Sequence, residues 1–277
     1  MTQELGMLLD IPNEKYHSGS GISRSDLLSI LRSPAHYKFP PEEEKDTPAL
    51  LFGEAFHLAI LQHDLFEETY VTLPQHFDGR RAKDKAFKAE IESNGMKILK
   101  YDDGEAIKGM AESIRANQKI SRILKTGLAE ISCFWHDPLY PDILLKCRLD
   151  WLNMKEGIIL DLKSTIDARP EYFKSAAYKM GYHVQASFYL SGVSIITKSE
   201  HRDFRFVAVE KTSPYGLMWY QADEEMLQLG AIQAQRALKI YQECKQTDYW
   251  PCYAGGLQSL GVPPWAKKQQ EMTAIYE

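Results

Sequence analysis

The chain of 277 residues has only four cysteines, at 133, 147, 244 and 252, and none of their spacings pairs them as a zinc site would. Cys133 and Cys147 fall in apolar, strand-like segments, where reduced core residues of a cytoplasmic protein are expected. No apolar run approaches the ~20 residues that span a bilayer, so no membrane partner is expected. The opening Met-Thr-Gln-Glu-Leu-Gly lacks the charged-then-apolar pattern of a signal peptide. Positive charge is not in surplus either. A net charge of −5 argues against a general nucleic-acid coat protein. It leaves room for a protein that meets a polyanion inside a channel, where the positive charge need only be local. Internal repeats and low-complexity segments are also missing. What is present is a hydrophobic content of 44%, ample for a core.

The densest chemistry lies in Asp150-Trp-Leu-Asn-Met-Lys-Glu-Gly-Ile-Ile-Leu-Asp161-Leu-Lys163. Leu144, Leu145, Leu149, Trp151 and Leu152 make one strand, and Ile158, Ile159, Leu160 and Leu162 make a second. Lys155-Glu156-Gly157 supplies the turn. Side chains alternate along a strand, so Asp161 and Lys163 share a face. If Asn153 pairs with Ile158, Asp150 stands opposite Asp161. Directly opposed Cβ atoms lie roughly 4.5–5.5 Å apart, where like charges repel. A divalent cation between the carboxylates relieves that repulsion, and a lysine beside it can hold a phosphate or a water. This is the chemistry of metal-assisted phosphodiester hydrolysis. The plainer alternative is a solvated hairpin. Against it stand two strands apolar enough to lie deep in a sheet, where unpaired acids are costly.

A third acid converges on the same place. Ala129-Glu-Ile-Ser-Cys-Phe-Trp135 alternates like a strand, and Asp137-Pro-Leu-Tyr-Pro-Asp142 is a turn. A hairpin closing Asp137 on Ile143 brings Glu130 opposite Asp150, whereas a slip of one residue would send it to the other face.

These residues resemble a known family. Asp150…Asp161-Leu-Lys163 is similar to the PD-(D/E)XK nuclease signature, in a variant without the proline. Tyr182-His-Val-Gln185-Ala-Ser-Phe-Tyr189 resembles the Gln-x-x-x-Tyr helix of the RecB-like branch, and Gly53-Glu-Ala-Phe-His57 its Gly-x-x-x-His helix. Gly21-Ile-Ser-Arg-Ser-Asp-Leu-Leu and Trp250-Pro-Cys-Tyr253 resemble the C-terminal exonuclease domain of RecE-type phage recombination proteins. The resemblance runs from about Tyr16 to Trp265. It implies a restriction-endonuclease-like α/β core, with a mixed central sheet flanked by helices. It further implies a Mg²⁺-dependent 5′→3′ exonuclease on double-stranded DNA ends, whose 3′ overhangs pass to a single-strand annealing protein. A homo-oligomeric ring is implied too, a tetramer before a trimer. A different endonuclease of the same fold, or an inactive DNA-end-binding module, are the alternatives.

The resemblance also assigns roles. His57, Asp150, Asp161 and the Leu162 backbone carbonyl would be metal ligands, with Glu130 beside them. An imidazole ligand would let Mn²⁺ substitute for Mg²⁺. Lys163 would position or deprotonate water. Gln185 would sit near the metal water or the scissile phosphate, and Tyr189 would contact the DNA backbone or orient Lys163. Some RecB-like nucleases carry an iron–sulfur cluster on a tight C-terminal cysteine group; Cys244 and Cys252 are too far apart for it, so no cluster is expected. Taken alone, His57 would be a hydrogen-bonded core group, and Gln185 and Tyr189 a polar stripe on a half-buried helix. With Gly53 one turn away, the His57 helix could pack closely on the sheet.

The remaining elements frame these motifs. Residues 1–277 are expected as one domain: a mainly helical part over 16–125, the core over 126–250 and a tail over 251–277. Ser23 and Ser25 are candidate caps of a helix over 26–32 that Pro34 stops. Arg24 and Ser33, at its two ends, could bind a 5′-phosphate, or merely cap and solvate. Residues 40–48 read as an acidic loop, 49–62 and 107–124 as helices. Arg80, Arg81 and Lys83 are the best candidate DNA-contacting patch, with a solvated helix face as alternative. That helix is expected to run on to Lys100 with Phe87 and Ile91 inward. Helices over 170–179 and 182–190 flank Gly181, strands cover 204–209 and 216–221, and a helix over 223–246 turns Met226, Leu227, Leu229, Ile232 and Leu238 inward.

Overall fold

A computed structural model describes residues 4–9, 11–41, 47–253 and 255–262. The chain opens on strand β1 (Gly6–Leu8) and helix α1 (Asn13–Ser18). Ser23 and Asp26 form a reciprocal capping box that starts α2 (Arg24–Arg32). Pro34 does more than end this helix: with Ser33 as cap it opens α3 (Pro34–Lys38). The apolar helix α4 (Pro48–Leu61) follows, then α5 (His63–Thr69), β2 (Tyr70–Thr72), α6 (Ala82–Ser93) and β3 (Lys97–Leu99). The helix expected over 107–124 is two, α7 (Tyr101–Ala116) and α8 (Gln118–Ile123). Asn117 breaks it, because its backbone is extended and its side chain caps α8.

Next come β4 (Leu128–His136), β5 (Leu144–Asn153) and β6 (Ile158–Thr165). Helices α9 (Pro170–Lys179) and α10 (Tyr182–Thr197) meet at Gly181, whose φ is +68°. Strands β7 (Asp203–Glu210) and β8 (Leu217–Gln221) lead to α11 (Glu224–Thr247), capped by Asp223. The acidic loop expected over 40–48 and the tail fall partly outside the described residues.

The main sheet has the order β1-β4-β5-β6-β7-β8. Among the six strands described in this sheet only the neighbours β6 and β7 run parallel, and α9 and α10 form their crossover. One core packs α2, α9, α10 and α11 on one face of this sheet. A second packs α4, α7 and α8 on the other. This is the mixed α/β sandwich expected. Strands β2 and β3 pair in a separate small parallel sheet. Three residues each are too few for a readable alternation, as is β1.

Two expected core faces differ. In α11, Leu229 and Ile232 are exposed, while Gly230, Ala234, Ala237 and Leu238 face in. A Cβ on Gly230 would come 2.0 Å from the His183 carbonyl oxygen, so close contact with α10 selects small residues on the buried side. Helix α6 ends at Ser93, because Lys97–Leu99 joins β2, and Phe87 is exposed with Ile91 alone buried. Among the described residues no helix is long and apolar enough to cross a membrane.

Candidate metal centre

The meander folds in the expected register. Asn153 pairs with Ile158, and the Asp137 N–H closes on the Ile143 carbonyl. The pairings Ala129–Trp151 and Ile131–Leu149 bracket Glu130 and Asp150. Yet the alternation does not run straight through. Ile131, Cys133 and Trp135 join the α10-side core, whereas Ala129 packs on the α4 side. Likewise Leu145, Cys147 and Leu149 face α10, and Trp151 faces α4. Both strands therefore reverse faces at the two acids. Glu130 has φ +51°, a left-handed conformation that costs a non-glycine residue roughly 1–3 kcal/mol. At Asp150 the hairpin ladder stops, and its Oδ2 instead accepts the Leu162 N–H at 2.7 Å.

The reversal brings His57 into reach from α4. Its Nδ1 lies 3.5 Å from Asp150 Oδ2. One potential ligand atom each from His57, Glu130 and Asp150 lie within 4.8 Å of one another. Gly53 does not act as expected, because a Cβ there would meet nothing within 4 Å. The glycine leaves open space beside His57 rather than permitting close helix packing.

Asp161 is 1% exposed, on the α10 side, with Lys163 next to it on the same face. Gln185 Nε2 donates to Asp161 Oδ1 at 2.5 Å. Lys163 Nζ is 2.5 Å from Oδ2, yet that oxygen has no donor aligned for a hydrogen bond. The buried Gln185 Oε1 also has no partner. Burial pushes the Asp161 carboxyl up to about 6, with Lys163 opposing and Asp150 adding to the shift. Burial and then repulsion from Asp150 push Glu130 up to about 8, against the pull of Arg148. Burial pulls Lys163 down, but Asp161 and Asp150 outweigh it and hold the ammonium above its ordinary value. Acids that resist ionisation, orphaned buried oxygens and a neighbouring imidazole are a donor set that fits a divalent cation.

Tyr189 is half-buried against the core, its ring edge-on to Phe204, and burial raises its hydroxyl well above the usual range. The ring beneath Lys163 is that of Tyr182, 4.7 Å from Nζ to centroid. Sequence reasoning missed it, although Tyr182 stands three residues before Gln185 and so shares its face. Helical side chains lean toward the N-terminus, which favours the earlier tyrosine.

The profile of a family described as "PDDEXK-like domain of unknown function (DUF3799)" matches residues 23–261. The chain belongs to this family. The resemblance read from the sequence holds at the level of the family. Curated proteins yield no match. Among solved structures, a provisionally named exonuclease from Eubacterium rectale aligns over 96% of this chain and 99% of its own, with 15% identity and a TM-score of 0.60. At that identity the likeness speaks for the fold alone. A phage-related exonuclease from Haemophilus somnus 129PT aligns over 86% of this chain and 100% of its own, at 13% identity and a TM-score of 0.34.

The outlying expected residues are scattered. Arg24 reaches the site: its guanidinium donates to the Met180 carbonyl and lies 5.8 Å from the Tyr182 ring centroid, with Nε buried and unpartnered. Ser33 is not brought to it. Its hydroxyl is 2.6 Å from His36 Nδ1 and caps α3. It follows Arg24 by nine residues of helix, ~13 Å of rise. Arg80 is held bidentate by Asp78, which Arg81 also approaches at 3.9 Å, so part of that patch is neutralised internally. Lys83 is exposed on α6. Cys133 and Cys147 sit opposite each other on β4 and β5, both buried.

Proposed function

We propose that this chain is a divalent-metal-dependent exonuclease on double-stranded DNA ends. In this reading it degrades 5′→3′ and leaves 3′ overhangs for a single-strand annealing protein. The observation that carries the reading is the convergence of His57, Glu130 and Asp150 beside a buried Asp161–Lys163 pair. Asp150, Asp161, His57, Glu130 and the Leu162 carbonyl would hold the metal. Bound there, Mg²⁺ or Mn²⁺ supplies Lewis-acid charge to the scissile phosphate and lowers the pKa of a bound water.

The chain's own groups do the rest. Lys163, held as an ammonium, faces the phosphate, stabilises its developing charge and orients the attacking water as a hydrogen-bond donor. Gln185 fixes the Asp161 carboxylate through one oxygen, the other being paired with Lys163. Leu162 fixes Asp150 through its N–H. Arg24, and more peripherally Arg80, Arg81 and Lys83, would take phosphates of the DNA backbone. A ring of identical subunits enclosing the duplex fits an enzyme that stays on one end, with a tetramer preferred to a trimer.

Digestion of a linear duplex labelled at either end, with and without Mg²⁺, tests activity, metal need and polarity together. Metal-dependent release from the 5′ label, with a covalently closed circle left intact, is expected. Cleavage of the circle would replace the exonuclease by an endonuclease of the same fold. Binding without turnover in either metal would leave a DNA-end-binding module.

A further inference from the structure

Lys163 makes one close ion pair with its partner acid. The ammonium is close to Asp161 Oδ2 but not aligned with it for a hydrogen bond. A lysine head on a flexible four-carbon stem is not oriented by charge attraction alone. The second contact of that ammonium is the Tyr182 ring. The ring is itself fixed, stacked on Phe206 at 5.5 Å and an interplanar angle of 22°, and 6.2 Å from Phe173. Phe206 is the β7 partner of Asp161 in the parallel register. The carboxylate and the phenyl ring that supports Tyr182 therefore stand at paired positions of neighbouring strands.

One turn of α10 serves both halves of the pair. Gln185 grips Asp161, and Tyr182, three residues earlier, lies under Lys163. Gly181 sets where that turn starts. A Cβ there would come 2.8 Å from Leu28, so the glycine lets α2 approach and carry Arg24 to the same ring. Asp161 already offsets part of the repulsion between these two cations, and a phosphodiester would add a second anion.

We infer that Tyr182 is a positioning residue: its ring, not its hydroxyl, sets the place of the Lys163 ammonium for the hydrolytic step. The inference rests on the nuclease reading above. A cation over an aromatic face contributes enough to change a rate roughly 2- to 30-fold.

The test is single-turnover digestion of a linear duplex in Mg²⁺, with duplex affinity measured separately in Ca²⁺. Tyr182→Phe should cut at nearly the wild-type rate. Tyr182→Leu should be slower, roughly 2- to 30-fold, with affinity and melting temperature little changed. Trifluorophenylalanine at position 182 keeps the shape of phenylalanine but removes the negative ring face, and it should be slow like leucine. Trifluorophenylalanine as fast as phenylalanine overturns the inference, as does equal slowing by Phe and Leu. A wild-type chain that leaves duplex uncut in both Mg²⁺ and Mn²⁺ overturns the nuclease reading and this inference with it. A wild-type chain that cuts while Tyr182→Leu keeps pace overturns the inference alone.

Discussion

At the scale of single residues, the site is defined by acids held where ionisation is expensive. Both upward shifts have the same sign of consequence. The folded chain retains protons that ordinary carboxyls, near pH 4, give up. In metal-free buffer the contribution of these groups to stability is full below about pH 4. It is lost as pH rises through about 6 for Asp161 and about 8 for Glu130. The melting temperature of the metal-free chain should fall across that window. Glu130→Gln should flatten its upper part, and an unchanged slope in that variant would show that Glu130 is not the group responsible. Hydrolysis separates the roles. Asp161→Ala should cost orders of magnitude in rate in a folded chain, whereas Lys163→Ala should slow the single-turnover step and leave metal affinity, read by calorimetry, largely intact. Near-normal turnover by Asp161→Ala would end the nuclease assignment. The types and spacing of these residues were readable in the sequence, because Asp161 and Lys163 obey strand alternation and Gln185 a helical turn. The reversal at Glu130 was not, because a left-handed glutamate has no pattern in the sequence. Nor was the choice of Tyr182 over Tyr189, which depends on how α10 is rotated against β7.

At the scale of elements, the helices that position the site are set by small residues more than by large ones. Gly230 lets α11 touch α10 at the His183 carbonyl, and α10 delivers Gln185. Gly230→Ala should therefore destabilise by roughly 1–3 kcal/mol or more, because backbone rather than a flexible side chain stands in the way. Chemical denaturation would measure it, and a change under about 0.5 kcal/mol would mean that the helices part freely. This is also why the inward face of α11 was misread: Leu229 and Ile232 carry the hydrophobic pattern, but contact between the helices favours Gly230, Ala234 and Ala237. Elements with strong local signals stood out: the Ser23 cap, the run of α4, the meander and Asp223. Those held by tertiary pairing alone did not. Strands β2 and β3 exist only because they lie side by side, and β1 only because it borders β4.

At the scale of the molecule, a net charge of −5 must coexist with the DNA binding proposed here. Affinity should then come from few, local contacts. The slope of log affinity against log salt counts them, at about 0.9 per neutralised phosphate on duplex DNA. Lys83→Ala should reduce that slope by about 1. Arg80→Ala should reduce it by less, because Asp78 already pairs that guanidinium. Equal reductions would mean that Arg80 abandons Asp78 for phosphate on binding.

The parallel pairing of β6 with β7 sets an order of events in folding. Residues 166–202 must be laid down as a crossover before the two strands can meet, and Tyr182 and Gln185 lie inside it. Until that long loop closes, Asp161 and Lys163 lack their ladder partners Phe206 and Ala208. Contacts so distant along the chain are slow to form, because the entropy of loop closure is lost before any contact is gained. His57, Glu130 and Asp150 come from three further elements, so no fragment of the chain holds the full set. The metal capture proposed here would thereby be tied to global folding, and a partly folded chain would have nothing with which to cut DNA.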